Sequence, residues 1–409
     1  MTNNPPPFFD SPKTTKCTLL ITQNCNLACD YCYIEKQKSV MSTSTAEKII
    51  DFVFANADKD EKIEIGFFGG EPLLEFNLIK EITDMIQDHK AFDPNRVNIS
   101  VVTNGTIFSD KISTFLEKKN IILCISCDGP AKVQDINRHF PNGSGSSKIV
   151  EQNLRKALKL FPLIPINAVY SPKTLQFLPE VVDYLVSLGA VNIYLNPDIS
   201  AEWTEKEAEQ LPKIYGTIGQ KYMDFYLQGK PKYISLIDGK ITVILREGYK
   251  PTERCRMGQG EYAFAPSGNI YPCERLVGAD DGKTHCIGNI NHEFEPTKTC
   301  NPNSNSCTAN NIECKECELK EYCMNWCGCT NFYSTGSYGT VGPFVCASEK
   351  AAINVALQVL EAFKNQQVFT HHLAGTPLAN VISQVFKKEH RHSSNSTRAL
   401  NEQSLKERD

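Results

Sequence analysis

The chain between Cys17 and Pro197 alternates between short apolar runs and longer amphipathic stretches. Six runs have the length and composition of β-strands: 17–22, 63–68, 97–103, 121–126, 164–170 and 191–196. The stretches between them place apolar residues at helical spacing: 45–57, 77–88, 110–119, 149–160 and 175–188. Six β/α units in succession predict an α/β fold with a parallel sheet, either left open or curved into a partial (β/α)6 barrel of the TIM type.

Four short motifs directly follow the first four predicted strands. They are a loop containing Cys25, Cys29 and Cys32, then Gly69-Gly70-Glu71-Pro72, Thr103-Asn104-Gly105-Thr106, and Ser126-Cys127-Asp128-Gly129-Pro130. Ligand-binding loops of both open and barrel-type parallel sheets lie at the carboxyl ends of the strands. The sequence therefore predicts that the four motifs share one rim and form one site.

The cysteine loop has the spacing C-x3-C-x2-C, formed by Cys25, Cys29 and Cys32. Three thiolates on one short loop can hold three irons of a [4Fe–4S] cluster, and the fourth iron is then free to bind a small molecule. A cluster that only carries electrons would take four cysteines. The loop thus indicates a catalytic iron–sulfur centre.

Composition narrows the class of protein. The chain has 17 cysteines in 409 residues and a formal net charge of −4. We expect a cytoplasmic protein, because residues 1–16 have no apolar core of signal-peptide length and no run of 18 apolar residues occurs. Outside the last twenty residues the sequence has no stripe of basic residues, so its charge gives no reason to expect a nucleic acid or an anionic membrane as partner. Since the cytosol keeps thiols reduced, the cysteines point to metal rather than to disulfides.

Tyr31 precedes the last cysteine of the loop, and with the Gly69-Gly70-Glu71-Pro72 run it makes the chain resemble the radical S-adenosylmethionine (radical SAM) enzymes. The resemblance implies that the open iron chelates the methionine part of SAM. An electron from the cluster then yields a 5′-deoxyadenosyl radical, which takes a hydrogen atom from the substrate.

The same resemblance implies which residues contact SAM. The candidates are Tyr31 against adenine, Gly70 and Glu71 at the methionine ammonium, Ser126 and Arg138 at the ribose and carboxylate, and Ile199 through its backbone at adenine. A bidentate guanidinium suits a carboxylate, which makes the role of Arg138 physically reasonable. The alternatives are a simple turn at Gly70, a core aromatic at Tyr31 and a surface ion pair at Arg138.

Seven later cysteines, with Gly268 separated from Cys273 by four residues, match the order C, G-x4-C, C-x2-C-x5-C-x3-C, C. This order resembles the SPASM domain, an extension of radical SAM enzymes that modify peptides and proteins. The resemblance implies two auxiliary [4Fe–4S] clusters and hence three clusters in total. One auxiliary cluster takes Cys314, Cys317, Cys323 and Cys346, and the other takes Cys255, Cys273 and Cys327. Structural zinc on the C-x2-C pairs is the alternative.

The second auxiliary set lacks an obvious fourth ligand. Anaerobic sulfatase maturases carry an extra cysteine six residues after the first, where this chain has Glu261. Three candidates remain: Cys286, Glu261, or the thiolate of a substrate bound at an open iron. Among the cysteines after residue 254, Cys300, Cys307 and Cys329 have no assigned place and are interpreted as unligated thiols.

Glu274 follows Cys273 at the position where sulfatase maturases carry an aspartate base. A glutamate can take the same proton, with its pKa tuned by burial, although an ion pair with Arg254 or Arg275 is the alternative.

Together these features predict a maturase that installs a thioether or another crosslink on a peptide or protein. A sulfatase maturase that forms formylglycine is the runner-up, and a non-catalytic Fe–S electron carrier or redox regulator is the alternative of another class.

The predicted organisation has six parts. They are an N-terminal extension (1–16), a radical SAM core (17–235), a linker (236–254), a SPASM domain (255–350), a C-terminal helical segment (351–386) and a disordered tail (387–409). We expect a low-potential electron donor of the flavodoxin or ferredoxin type as partner. Sixteen residues before Cys17 cannot fold a leader-recognition domain, so a leader peptide would be bound by a separate protein or by the SPASM face.

Overall fold

A computed structural model describes residues 13–292 and 312–365. Most of the predicted N-terminal extension, the end of the C-terminal helical segment and the whole predicted tail lie outside the described residues. Cys300 and Cys307 also lie outside them. The predicted α/β fold with a mostly parallel sheet is confirmed.

The described strands form one sheet, in the order β10-β9-β8-β1-β2-β3-β4-β5-β6-β7. All neighbouring pairs from β8 to β7 are parallel, and β9 pairs antiparallel with both β8 and β10. The strands are β1 (Thr14–Thr22), β2 (Lys62–Gly69), β3 (Val97–Thr103), β4 (Ile121–Ser126), β5 (Pro165–Tyr170), β6 (Asn192–Pro197), β7 (Tyr233–Ile234), β8 (Glu261–Phe264), β9 (Asn269–Tyr271) and β10 (Gly288–Asn289).

Among the described residues, one or two helices follow each strand from β1 to β7, and three more lie after β10. They are α1 (Thr43–Asn56), α2 (Phe76–Asp88), α3 (Asp110–Lys118), α4 (Ala131–Asn137), α5 (Ser147–Leu160), α6 (Leu178–Leu188), α7 (Glu205–Leu227), α8 (Ser235–Leu245), α9 (Ile312–Lys315), α10 (Gly328–Thr335) and α11 (Pro343–Asn365). Serine caps begin two of them, since Ser42 accepts the Thr45 N–H at 3.0 Å and Ser109 accepts the Ile112 N–H at 3.4 Å. Within the described part of the chain, no helix is long and apolar enough to span a membrane.

Side-chain alternation along the strands separates an apolar outer face from a polar interior. On β2, Ile63, Ile65 and Phe67 are at most 1% exposed and pack in the main core beneath the helices. The alternate positions on neighbouring strands include Thr18, Gly66 and Ser100, which line a cavity. Because this cavity is also lined by residues of β6 and β8, the sheet wraps around it as a partial barrel. Because the inward-facing residues are small or polar, their side chains do not fill the interior of the barrel, and a cavity remains there.

The segment predicted as a linker, 236–254, differs from the expectation because it contains most of α8. Ile237 and Ile241 of this helix are fully buried in the main core. The buried Asp238 carboxylate accepts a hydrogen bond from the Tyr222 hydroxyl at 2.9 Å and another from the Ile234 N–H at 2.6 Å. This segment is therefore packed against the barrel rather than running free between two units.

The cysteine-rich region begins as an extension of the core sheet. Strand β8 pairs with β1 in parallel, with Lys16 opposite Glu261 and Leu19 opposite Phe264. At the other end of this region, α11 packs against α7, where a side chain at Gly219 would come within 2.6 Å of Val355. The division into a core and a SPASM domain stays a prediction, and the two regions share one sheet.

Candidate functional site

The three-cysteine loop leaves the carboxyl end of β1 and is held by backbone hydrogen bonds on both sides. Its Ala28 N–H donates to the His139 carbonyl at 2.7 Å, and the Asp30 N–H donates to the Asn137 carbonyl at 3.0 Å. Beyond the loop, the Glu35 N–H donates to the Gly278 carbonyl at 3.0 Å. The loop is thus fixed between α4 and the segment that follows Glu274.

Gly70 lies where two backbone segments approach closely. A Cβ at this position would lie 2.2 Å from the carbonyl oxygen of Asn24, so only glycine fits. The Gly70 N–H donates to the Thr22 carbonyl at 2.8 Å, and the Glu71 N–H donates to the Asn24 carbonyl at 2.9 Å. These contacts hold the turn after β2 against the start of the cysteine loop.

The structure corrects our expectation for Glu71. Its side chain is fully buried and does not line the cavity beside the cysteines. The carboxylate accepts hydrogen bonds from the Leu73 N–H at 3.0 Å, the Thr103 hydroxyl at 2.8 Å and the Asn104 N–H at 2.7 Å. Because these donors occupy it, Glu71 holds the loops after β2 and β3 together rather than presenting a carboxylate to a ligand.

Tyr31, Asp128 and Arg138 form a hydrogen-bonded network beside the loop. The Tyr31 hydroxyl donates to Oδ2 of Asp128 at 2.6 Å and accepts from Nη1 of Arg138 at 2.6 Å. Burial raises the pKa of the Cys29 thiol to about 11, and the positive charge of Arg138 acts in the opposite direction. The guanidinium thus favours the thiolate form that binds iron.

A cavity of about 250 Å³ opens beside this network. Most of the predicted cofactor residues line it: Cys25, Cys29, Cys32, Tyr31, Gly70, Ser126, Arg138 and Ile199. The Arg138 Nε atom is buried and has no hydrogen-bond partner. A guanidinium N–H left unpaired at a cavity wall is suited to a carboxylate ligand.

The interior of the partial barrel holds a larger cavity of about 700 Å³. Ile199, Glu274 and Arg275 line both this cavity and the one beside the cysteine loop. The two spaces therefore meet at these residues. The Cys273 thiol donates to Oε2 of Glu274 at 3.5 Å, which places the predicted base at the junction.

The predicted second auxiliary set, Cys255, Cys273 and Cys327, lines the larger cavity together. Cys329, which the sequence left unassigned, lies among them and is 3% exposed. Its Sγ is 3.8 Å from Sγ of Cys327, and its side chain also contacts that of Cys273. The only signal in the sequence was the Cys327-Gly328-Cys329 spacing.

The four cysteines of the other predicted auxiliary set all lie in the described part of the chain, and their role as cluster ligands stays a prediction. Cys323 and Cys346 lie close enough to interact electrostatically, beside the ion pair of Lys240 and Glu349 at 2.6 Å. Cys314 and Cys317 are half-buried, on and just after α9. Within residues 13–292 and 312–365, no three His, Cys, Asp or Glu side chains are arranged to hold a single metal ion. A four-iron cluster takes one thiolate per iron, so its ligands are spread over separate irons.

The fold and the loop define an α/β partial-barrel protein with a three-cysteine site at the carboxyl ends of its strands. Residues 19–185 match the Radical SAM superfamily. An uncharacterized protein of Methanocaldococcus jannaschii is 30% identical over 281 residues, which cover 67% of this chain and 87% of that protein. The chain belongs to the radical SAM superfamily, and this membership implies a [4Fe–4S] cluster and SAM as cofactors.

Further relatives carry functional names. The radical SAM cyclopropyl synthase TigE of Paramaledivibacter caminithermalis is 26% identical over 342 residues, which cover 76% of this chain and 66% of that enzyme. The cysteine-type anaerobic sulfatase-maturating enzyme of Clostridium perfringens (strain 13) is 22% identical over 336 residues, which cover 75% of this chain and 86% of that enzyme. The family around this chain therefore includes maturases.

A solved structure supports the fold. Native anSMEcpe with bound AdoMet and the Cp18Cys peptide superposes with a TM-score of 0.71 at 20% identity, covering 86% of this chain and 99% of that chain. The likeness extends beyond the radical SAM match into the cysteine-rich region. At this identity it concerns the fold.

Proposed function

We propose that this protein is a radical SAM maturase that installs a post-translational modification, with a thioether or another crosslink favoured, on a peptide or protein. The observation that carries this proposal is the junction of the two cavities at Glu274. One space is lined by the three-cysteine loop, and the other, with a volume of about 700 Å³, has room for a peptide side chain and is lined by a cluster of thiols. Relatives that act as maturases support the same class.

The residues beside the loop fit the cofactors that the family implies. The thiols of Cys25, Cys29 and Cys32 would hold the cluster, and the unpaired Nε of Arg138 would bind the SAM carboxylate. Gly70 would offer its backbone to the ammonium, with Tyr31, Ser126 and Ile199 along the nucleoside. When bound, the cluster and SAM supply reductive cleavage of the sulfonium and removal of a hydrogen atom from the substrate.

Glu274 would take the proton that the substrate side chain loses. Its carboxylate lies at the junction of the cavities, with Oε2 3.5 Å from the Cys273 sulfur. Arg275, on the same short helical turn, has its guanidinium near Cys327 and Cys329, as well as near Glu274. The base is therefore held by its neighbours on the wall formed by the cysteine-rich region.

The cysteine-rich wall would hold two auxiliary [4Fe–4S] clusters, for three in all. The first would use Cys314, Cys317, Cys323 and Cys346, and the second would use Cys255, Cys273 and Cys327. A flavodoxin- or ferredoxin-type protein of low potential is the expected electron donor.

Release of 5′-deoxyadenosine tests the enzymatic proposal. The anaerobically reconstituted protein, given dithionite and SAM, should release this product, and a Cys25→Ala/Cys29→Ala/Cys32→Ala variant should not. A wild-type protein with a fully loaded cluster that releases none would overturn the proposal and favour an electron carrier.

Peptide products separate the maturase reactions. Cysteine-containing peptides encoded beside the gene, and a sulfatase peptide, are incubated with the active protein and analysed by mass spectrometry. A crosslink appears as the loss of two hydrogens, and a thioether also as the loss of one free thiol. An aldehyde that labels with a hydrazide on the sulfatase peptide would instead establish formylglycine formation.

A further inference from the structure

Four cysteine thiols converge on the wall of the larger cavity, one more than the spacing pattern assigned to this site. Cys255, Cys273, Cys327 and Cys329 all line it. The Sγ atoms of Cys327 and Cys329 are 3.8 Å apart, and the thiols of Cys329 and Cys273 are in contact. Cys255 packs in the same small cluster as Cys329 and Trp326.

Cys286, one of the three candidates that the sequence offered for the missing ligand, lies in a different place. Its thiol donates to the Gly288 carbonyl at 3.1 Å, at the start of β10. It packs with Tyr271 and Val277 in a separate apolar cluster and does not line the cavity that holds the other thiols. Its position argues against a role as the fourth ligand.

Glu261 does reach the site. The Cys255 thiol lies 3.4 Å from Oε2 of Glu261, at the position where sulfatase maturases carry their extra cysteine. A carboxylate is a harder ligand than the thiolates that iron–sulfur clusters use. Cys329 supplies a thiol to the same group, from the first turn of α10.

We infer that Cys329 is the fourth cysteine ligand of the auxiliary cluster held by Cys255, Cys273 and Cys327, which closes that cluster to a substrate thiolate. This inference rests on the proposed function, because the auxiliary cluster is itself part of that proposal. Each thiol loses its proton when it binds iron. The Arg275 guanidinium, which lies beside Cys327 and Cys329, offsets the negative charge of the four thiolates.

A closed cluster changes how the substrate is held. With all four irons bound by cysteine, no position remains for a substrate sulfur on the metal. The substrate would then be positioned by the cavity walls, including Glu274 and Arg275 at the junction. The structure thus favours a substrate that approaches this cluster without binding it.

The test uses the full-length Cys25→Ala/Cys29→Ala/Cys32→Ala variant, because its remaining iron belongs to the cysteine-rich region. After anaerobic reconstitution we expect about eight irons per chain. Adding Cys329→Ala should lower this to about four, or leave a cluster whose EPR signal shifts when free cysteine is added. Adding Cys286→Ala, the matched control, should leave the iron content and the EPR signal unchanged.

A rescue variant excludes a purely structural role for Cys329. Because the side chain at position 261 reaches Cys255, Glu261→Cys combined with Cys329→Ala should restore four irons and remove the response to free cysteine. Failure of Cys329→Ala to alter iron content, EPR signal or cysteine response would overturn the inference. Loss of the cluster in Cys286→Ala, or in Cys300→Ala/Cys307→Ala, would overturn it equally.

Failure of the inference can be told from failure of the proposed function. If the three-alanine variant holds no iron while the wild type releases 5′-deoxyadenosine, the inference falls and the radical SAM activity stands. If the wild type releases none with its clusters loaded, the proposed function falls, whatever the ligand variants show.

Discussion

The Cys273 thiol lies 3.5 Å from Oε2 of Glu274, at the place where the cavity beside the three-cysteine loop joins the interior of the barrel. The two residues are adjacent in sequence, and Cys273 directly precedes a short helical turn, Glu274–Leu276. A proposed cluster ligand and a proposed base thus share one backbone turn. Movement of one would be transmitted to the other.

Substitution of Glu274 should separate product formation from SAM cleavage. We expect Glu274→Gln to lower peptide modification by at least about a hundredfold, since general bases contribute on that order. Release of 5′-deoxyadenosine should fall by much less, because Glu274 takes a proton only from the substrate. Both products are quantified by liquid chromatography and mass spectrometry.

Two controls accompany Glu274→Gln. Glu64→Gln changes another carboxylate that lines the larger cavity and should leave both products near wild-type levels. Glu274→Asp keeps the carboxylate and should retain part of the modification activity. Equal losses of both products in Glu274→Gln would contradict a base and indicate a role in cofactor binding.

Arg138 should determine the affinity for SAM. Replacing it by lysine keeps the charge but removes Nε and the planar fork, so we expect the KM for SAM to rise about tenfold, the equivalent of one charged hydrogen bond. Arg155→Lys, on the exposed face of α5 where Arg155 pairs with Glu151 at 2.8 Å, is the matched control. An unchanged KM in Arg138→Lys, measured by 5′-deoxyadenosine release against SAM concentration, would contradict the assignment.

A methyl group at Gly70 should disturb the cysteine loop. The added Cβ would lie 2.2 Å from the Asn24 carbonyl, a backbone atom that cannot yield without moving the loop. We expect Gly70→Ala to cost about 1–3 kcal/mol and to lower the iron held by Cys25, Cys29 and Cys32. Gly216→Ala, where a Cβ on α7 meets no atom within 4 Å, should be neutral or stabilise by up to about 1 kcal/mol. Full iron retention by Gly70→Ala would show that the loop tolerates the shift.

The predicted β/α alternation is confirmed because each element carries its own local pattern. Strands β3 and β4 begin and end where the apolar runs do, and β1, β2, β5 and β6 differ from the predicted bounds by at most three residues. The pairing of β8 with β1 could not be predicted in this way. Strand β8 has only four residues, Glu261–Phe264, and its place in the sheet depends on a partner about 240 residues earlier in the chain.

In the candidate site, too, features with a local sequence pattern could be predicted, whereas contacts between distant parts of the chain could not. The rim position of Cys25, Gly70 and Ser126 follows from the rule that ligands lie at the carboxyl ends of parallel strands. The burial of the Glu71 carboxylate could not be predicted from the sequence. It depends on hydrogen-bond donors from two separate loops, which follow β2 and β3. Cys329 was missed for a related reason: spacing along the chain does not report which thiols meet across a cavity.

The carboxylate of Glu61 connects the start of β2 to the cysteine-rich region. It is 3% exposed and pairs with Lys13 at 2.6 Å and with Arg256 at 3.2 Å, and it accepts a hydrogen bond from the Thr15 hydroxyl at 2.7 Å. Burial alone would raise its pKa, but the hydrogen bonds from Lys13 and Thr15 and the charge of Arg256 outweigh burial and lower the pKa from 4.5 to about 2. We expect Glu61→Gln to cost about 2 kcal/mol at pH 7.

The pH dependence of this cost follows from the direction of the pKa shift. Because the pKa of Glu61 is lower in the folded state, its carboxylate stabilises the fold above about pH 4.5, and this contribution is lost as the pH falls from 4.5 towards 2. The difference in unfolding free energy between wild type and Glu61→Gln should therefore be constant from pH 7 to 5.5 and shrink below pH 4.5. Urea titrations of the cluster-free protein measure it without acid loss of iron. Glu81→Gln, on the exposed face of α2, should show no such trend. A difference that stays constant down to pH 3 would mean that the packing of the side chain, and not its charge, stabilises this contact.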